Sequence, residues 1–175
     1  MTISWIRFEW DLTGLPVVSD KDIAPFILRP AEKGEEDTIQ KVAASAFSMD
    51  TAWGDARSFI TERVTKNIAE SFDREIPSCV VLQHGSRIIG VSALNLGEVE
   101  NNLPTGPCIL HEYRSRGLAS LLLQASLLTV RDAGLGRAYG IVRERTPAAR
   151  FVYPKFGGVG HPWTTDLGHS PKLAA

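Results

Sequence analysis

Sulfur is scarce in this chain, which has two cysteines and two methionines among 175 residues. Cys79 and Cys108 are too few for a disulfide framework and too far apart for a CxxC centre. That excludes a cystine scaffold and a thiolate zinc or redox site, and leaves both as reduced packing residues. Charge of a single sign is missing as well, since 19 Lys plus Arg face 20 Asp plus Glu for a formal net charge of −1. Such a balance offers no field to hold a polyanion, so neither nucleic acid nor a membrane surface is expected as a partner. Long hydrophobic runs are absent too. The longest nearly apolar stretch, residues 118–130, is broken by Ser120, Gln124 and Ser126 and falls short of the ~20 residues that cross a bilayer. The opening dozen residues carry Arg7, Glu9 and Asp11 among their aromatics, unlike the uncharged core of a secretory signal. A reducing, cytoplasmic setting is expected. His84, His161 and His169 have no partners at ligand spacing, so no metal site is expected.

What the chain does contain is an alternation of strand-like and helix-like segments, without a fixed-period repeat or a low-complexity tract. With 43% hydrophobic residues, a chain of this length buries its core as one unit. Ile6, Phe8 and Trp10 alternate with Arg7 and Glu9, which is the period of a strand. Residues 25–29 read as the next strand, and the acidic run 32–37 suits a helix start, where carboxylates complement the dipole. Ile39, Val42, Ala43 and Phe47 mark that helix's apolar face. A second helix is expected over 55–71, on a stripe of Phe59, Ile60, Val64 and Ile68. Residues 78–83 and 87–96 form a hairpin about His84-Gly85-Ser86. A polar loop and a short strand at 107–110 follow. Next comes a helix over 116–133, with Leu118, Leu121, Leu122, Ala125 and Leu128 as its buried stripe and Gly134 at its end. A strand at 137–143 precedes Thr146-Pro147, an N-cap residue followed by a first-turn proline, and the tail from 159 can add a last strand. Early hairpins and a later strand-helix-strand unit give a mixed, mostly antiparallel sheet flanked by about four helices, of class α/β or α+β.

The segment Pro107-Cys108-Ile109-Leu110-His111-Glu112-Tyr113-Arg114-Ser115-Arg116-Gly117-Leu118-Ala119 leads from a strand through a basic, glycine-bearing turn into a helix. Its first helical amides lack intrahelical partners and sit at the positive end of the dipole, so the turn suits a phosphate. Arg114 and Arg116 add guanidinium groups that match phosphate oxygens. Neither a GxxxxGKS/T phosphate loop nor a GxGxxG turn occurs, which argues against a nucleoside triphosphate or NAD.

Arg114-Ser115-Arg116-Gly117-Leu118-Ala119 resembles the Gln/Arg-x-x-Gly-x-Gly/Ala signature of the GNAT N-acetyltransferase superfamily. Downstream, Thr146, Ala149, Tyr153 and Lys155-Phe156-Gly157 are similar to the family's Asn-x-x-Ala-x-x-x-Tyr helix and its sequel, with Thr146 replacing the asparagine and Gly157-Gly158 replacing a common Gly-Phe ending. The likeness spans residues 27–158. It implies a GNAT-like domain over 26–175, while residues 1–25 are expected as an extension that adds an edge strand or swaps into a second copy to make a homodimer.

The resemblance further implies acetyl-CoA as acyl donor and a primary amine, expected on a small molecule, as acceptor. A peptide or protein amine, and a non-catalytic acyl-CoA-binding module, are the alternatives. Ile109, Leu110 and His111 would pair through backbone groups with the donor, residues 114–119 would hold its pyrophosphate, and Thr146, Ala149 and Tyr153 would complete the site. Tyr153 matches the family's general acid, and Glu98 and Glu100 stand near the place of its base. Cys108 is expected as a packed thiol rather than an acyl carrier. Trp53 is placed where the family builds acceptor pockets.

Overall fold

The computed structural model describes residues 4–17, 23–51 and 57–164. Trp53, residues 55–56 at the expected start of the second helix, His169 and the end of the tail lie outside the described residues. In chain order the elements are β1 (Trp5–Asp11), β2 (Phe26–Pro30), α1 (Glu36–Ser48), α2 (Arg57–Ser71), β3 (Cys79–His84) and β4 (Arg87–Ala93). They continue with β5 (Cys108–Ile109), α3 (Leu118–Asp132), β6 (Arg137–Arg143), a π-helical turn (Ala148–Val152) and β7 (Val159–Trp163). The class is the expected α+β, with antiparallel ladders. They fall into two sheets, of order β2-β3-β4-β5 and β6-β1-β7.

The β3–β4 hairpin closes at Gln83↔Ile88 and His84↔Arg87, so two residues form its loop and Gly85 takes the left-handed conformation at φ 60° that such tight turns need. On the far side of β4, β5 pairs over Gly90↔Ile109 and Val91↔Cys108. Gly90 suits this close pairing, since a Cβ there would press on the end of the Ile109 side chain at 2.7 Å and on Cys108 O at 3.2 Å. Beyond Leu110, whose N–H bonds Ile89 O at 2.9 Å, the first sheet ends. The strand expected in the first dozen residues forms, but in the middle of the second sheet and not at an edge, because later strands pair with both its sides: β6 antiparallel from Trp5↔Arg143 to Asp11↔Arg137 and β7 from Trp5↔Trp163 to Glu9↔Val159.

Buried Asn102 laces the two sheets together. Its N–H bonds Tyr139 O at 2.7 Å, its Oδ1 accepts from Tyr139 N–H at 2.9 Å, and its Nδ2 donates to Asn95 O and Gly97 O. Farther along, Ile141 and Val142 of β6 and Cys108 and Ile109 of β5 line a gap between the sheets.

Helix α3 covers both sheets. Its buried face is Leu118, Leu122, Leu123, Gln124, Ser126, Leu127 and Val130, while Leu121, Ala125 and Leu128 are half-buried. The expected stripe was therefore rotated toward solvent. Leucines on nearly every side blur the 3.6-residue signal, and packing against two surfaces selects the face. The serine is accommodated because its Oγ donates to Leu122 O at 2.7 Å. No described helix is long and apolar enough to cross a membrane.

Candidate functional site

A cleft of about 430 Å³ opens where the sheets separate. Cys108 and Ile109 of β5 form one side and Ile141 and Val142 of β6 the other. The turn before α3 forms its floor through Arg114, Ser115, Gly117, Leu118 and Ala119. Two left-handed residues, Ser115 at φ 62° and Gly117 at φ 75°, swing the chain so that α3 starts facing the gap. Leu121 N–H to Gly117 O at 3.3 Å opens the helical ladder, and the amides ahead of it belong to the helix end that binds anions. A Cβ at Gly117 would meet nothing within 4 Å, so the glycine leaves open space beside those amides.

The roof is the segment from Thr146 to Lys155. Thr146 Oγ1 accepts from Ala149 N–H at 3.3 Å and donates to Arg143 O at 2.9 Å, the cap expected of it. The turn that follows is π-helical, with Tyr153 N–H reaching Ala148 O at 2.9 Å. Tyr153 borders the cleft and is 2% exposed. Its ring meets Phe8 and Trp10 edge-on, both at 5.5 Å between centroids, and its hydroxyl lies against the α-carbon of Gly106. Burial, with a smaller push from Cys108, holds the phenol far above the ordinary tyrosine range. Cys108 is likewise pushed up to about 12, chiefly by burial, so it is a packed thiol and a poor nucleophile. Farther out the wall is apolar, with Trp5, Phe47, Ile60, Val64 and Phe151, and carries Asp50 and Arg63.

No family model matches the sequence, and no curated protein matches it. Solved structures do. An acetyltransferase of the GNAT family from Colwellia psychrerythraea superposes with a TM-score of 0.64 at 13% identity, covering 92% of this chain and 54% of that one. A GCN5-related N-acetyltransferase from Sphaerobacter thermophilus gives 0.63 at 16% identity, over 91% and 49%. Another, from Kribbella flavida, gives 0.57 at 15% identity, over 92% and 56%. The fold is that of the GNAT acetyltransferases. The chain spans about half the length of the solved chains it matches.

Within the GNAT fold the residues expected at the site divide. Ile109, Arg114, Ser115, Gly117, Leu118, Ala119, Thr146 and Tyr153 come together around the cleft. Leu110 is buried behind it, with its N–H on Ile89 O and its carbonyl accepting from Tyr113 N–H at 2.9 Å. His111 is exposed at the start of a short 3-10 turn, Ala149 packs in the core, and none of the three lines the cleft. Arg114 reaches the cleft, but its guanidinium is committed inward: Nε donates to Ile109 O at 3.2 Å, Nη2 to Ala46 O at 2.7 Å, and Nη1 faces Asp50 at 3.5 Å. It ties the end of α1 to β5. Arg116 is exposed outside the lining, with Nη2 on Glu112 O at 3.3 Å. Glu98 and Glu100 are exposed on the loop before β5 and do not reach the cleft either; Glu100 contributes a carbonyl that accepts from Arg7 Nε at 3.0 Å. Sequence reasoning missed Trp5, Asp50 and Arg63. Among the described residues Asp50 is the one carboxylate on the cleft wall.

Proposed function

We propose that this chain is an acetyl-CoA-dependent N-acetyltransferase acting on a primary amine of a small molecule. The observation that carries the reading is the meeting, in one cleft between splayed sheets, of the open glycine turn at the start of α3 with the buried phenol of Tyr153. A bound thioester supplies the activated acyl group. The residues present fit such a donor: the α3 amides and Gly117 suit its pyrophosphate, and the apolar walls of β5 and β6 suit its arm.

In this reading the chain's part is orientation and proton placement. The phenol of Tyr153 stays protonated across the working pH range, because its burial disfavours the phenolate, and it acts as a hydrogen-bond donor toward a departing thiolate. With Glu98 and Glu100 outside the cleft, Asp50 takes the role of proton acceptor for the attacking amine. The apolar wall of Trp5, Phe47, Ile60 and Val64 excludes water, which strengthens each polar contact inside.

The first test needs no acceptor. Acetyl-CoA at 100 times its dissociation constant stabilises the fold by about 2.7 kcal/mol, a Tm rise of roughly 5–10 °C for a chain of this size. Rises with acetyl-CoA and CoA but none with NAD support the donor site, and thiol release over a panel of amines then tests transfer. No shift at saturating acetyl-CoA refutes the reading; binding without transfer to any amine reduces it to an acyl-CoA-binding module.

A further inference from the structure

Tyr153 has little support from its own segment. One backbone bond of the π type holds its N–H, and Pro154, next in sequence, has no N–H to give. The chain then passes through Phe156 at φ 58° and Gly157 at φ 78°, both left-handed, without forming a regular helix. The support comes from the other end of the chain. Trp10 of β1 is completely buried, and its indole N–H donates to Lys155 O at 3.0 Å. The same carbonyl accepts from Gly158 N–H at 3.1 Å, so Trp10 locks the turn directly after the tyrosine. Its ring also meets the Tyr153 ring edge-on at 5.5 Å, with Phe8 making the second edge contact. The fit is close enough that a Cβ on Gly158 would come 2.6 Å from the indole nitrogen and collide with the Tyr153 carbonyl.

We infer that Trp10 is a positioning residue of the acetyl-transfer site: it seats the turn after Tyr153 and the tyrosine ring so that the phenol faces the cleft beside Gly106. The N-terminal strand is therefore part of the machinery, although the residues that resemble a transferase begin after it. The inference rests on the acetyl-transfer reading.

Trp10→Phe keeps an aromatic ring and removes the donor. The expected result is a fall in kcat of roughly 10- to 100-fold, the range a small misplacement of a reacting group produces, with KM for acetyl-CoA within about twofold. In a Tyr153→Phe background the same change is expected to cost no further kcat. An unchanged kcat, or a full loss that persists without the tyrosine hydroxyl, overturns the proposal. A second readout is independent of turnover. The chain has three tyrosines, so the ring-carbon NMR signal of Tyr153 is assigned by its absence in Tyr153→Phe. Trp10→Phe should move or broaden that signal, and an unmoved signal overturns the placement whatever the enzyme does. A wild-type protein that transfers no acetyl group while its Tyr153 signal still responds to Trp10→Phe would sink the functional reading alone. Should Trp10→Phe prove insoluble, Phe8→Leu removes the other edge contact and is read by the same signal.

Discussion

Gly106→Ala separates two costs that a positive-φ glycine can hide. Gly106 sits at φ 62°, and a Cβ there would land on the Tyr153 hydroxyl. Gly85, at φ 60°, has nothing within 4 Å of the same position. Gly85→Ala thus measures the left-handed backbone alone, about 1–2 kcal/mol. Gly106→Ala adds overpacking, for which about 1–3 kcal/mol is typical. The tyrosine cannot retreat, because Phe8 and Trp10 stand behind it. At roughly 2–4 °C per kcal/mol for a chain of this size, Gly85→Ala should lower Tm by about 2–8 °C and Gly106→Ala by about 4–20 °C. Removing the obstructing oxygen reverses the second part: Gly106→Ala with Tyr153→Phe should recover about 1–2 kcal/mol, a coupling that urea unfolding of the single and double variants resolves. If Gly106→Ala costs no more than Gly85→Ala, or the double variant is additive, the hydroxyl does not occupy the place the structure gives it.

Tyr153→Phe alone should lower turnover by about 10²–10⁴-fold and leave acetyl-CoA affinity unchanged in a calorimetric titration; unaltered turnover with a proven acceptor removes its role. Gly117→Asp puts a carboxylate into the space beside the α3 amides and should abolish the thermal shift with acetyl-CoA while the ligand-free Tm falls by only a few degrees. Thr146→Ala loses the cap on Ala149 N–H and should cost about 1 kcal/mol in chemical unfolding. Stability should also fall at high pH. Burial raises the thiols of Cys79 and Cys108 from 9.0 to about 12, so between those values the unfolded chain releases protons that the folded chain retains. Their contribution is complete below pH 9 and is lost as pH climbs toward 12, at up to about 1.4 kcal/mol per pH unit for each thiol. Cys108→Ala should make the alkaline decline shallower, as followed by urea midpoints.

Local signals in the sequence were enough where one element decides its own shape. β6 runs over 137–143 as expected, and the β3–β4 hairpin turns at Gly85 as its loop requires. The turn into α3 was legible for the same reason, since glycine, helix start and preceding strand are consecutive. What depends on distant packing was not. Trp5 reaches the cleft only because β1 pairs with β6, and Asp50 only because Arg114 draws the end of α1 toward β5. Arg114 itself looked like a phosphate ligand, since nothing nearby in sequence reveals the carbonyls of Ile109 and Ala46 that claim it. Glu98 and Glu100 had the expected distance from β4, yet the loop bends out where Asn102 binds β6, and it carries them away from the cleft.

The place of β1 between β6 and β7 also bears on how the molecule assembles during synthesis. Of the described strands it leaves the ribosome first, yet both of its hydrogen-bonding neighbours are made near the end of the described chain. Until then a segment carrying Trp5, Phe8 and Trp10 has both edges open, a hazard for association with other nascent chains. Closing that sheet requires loops spanning most of the sequence, the kind of non-local pairing that slows folding. The first sheet, whose β3–β4 hairpin is local, can form earlier, and the cleft is complete only once β6 and the segment from Thr146 to Lys155 have joined it.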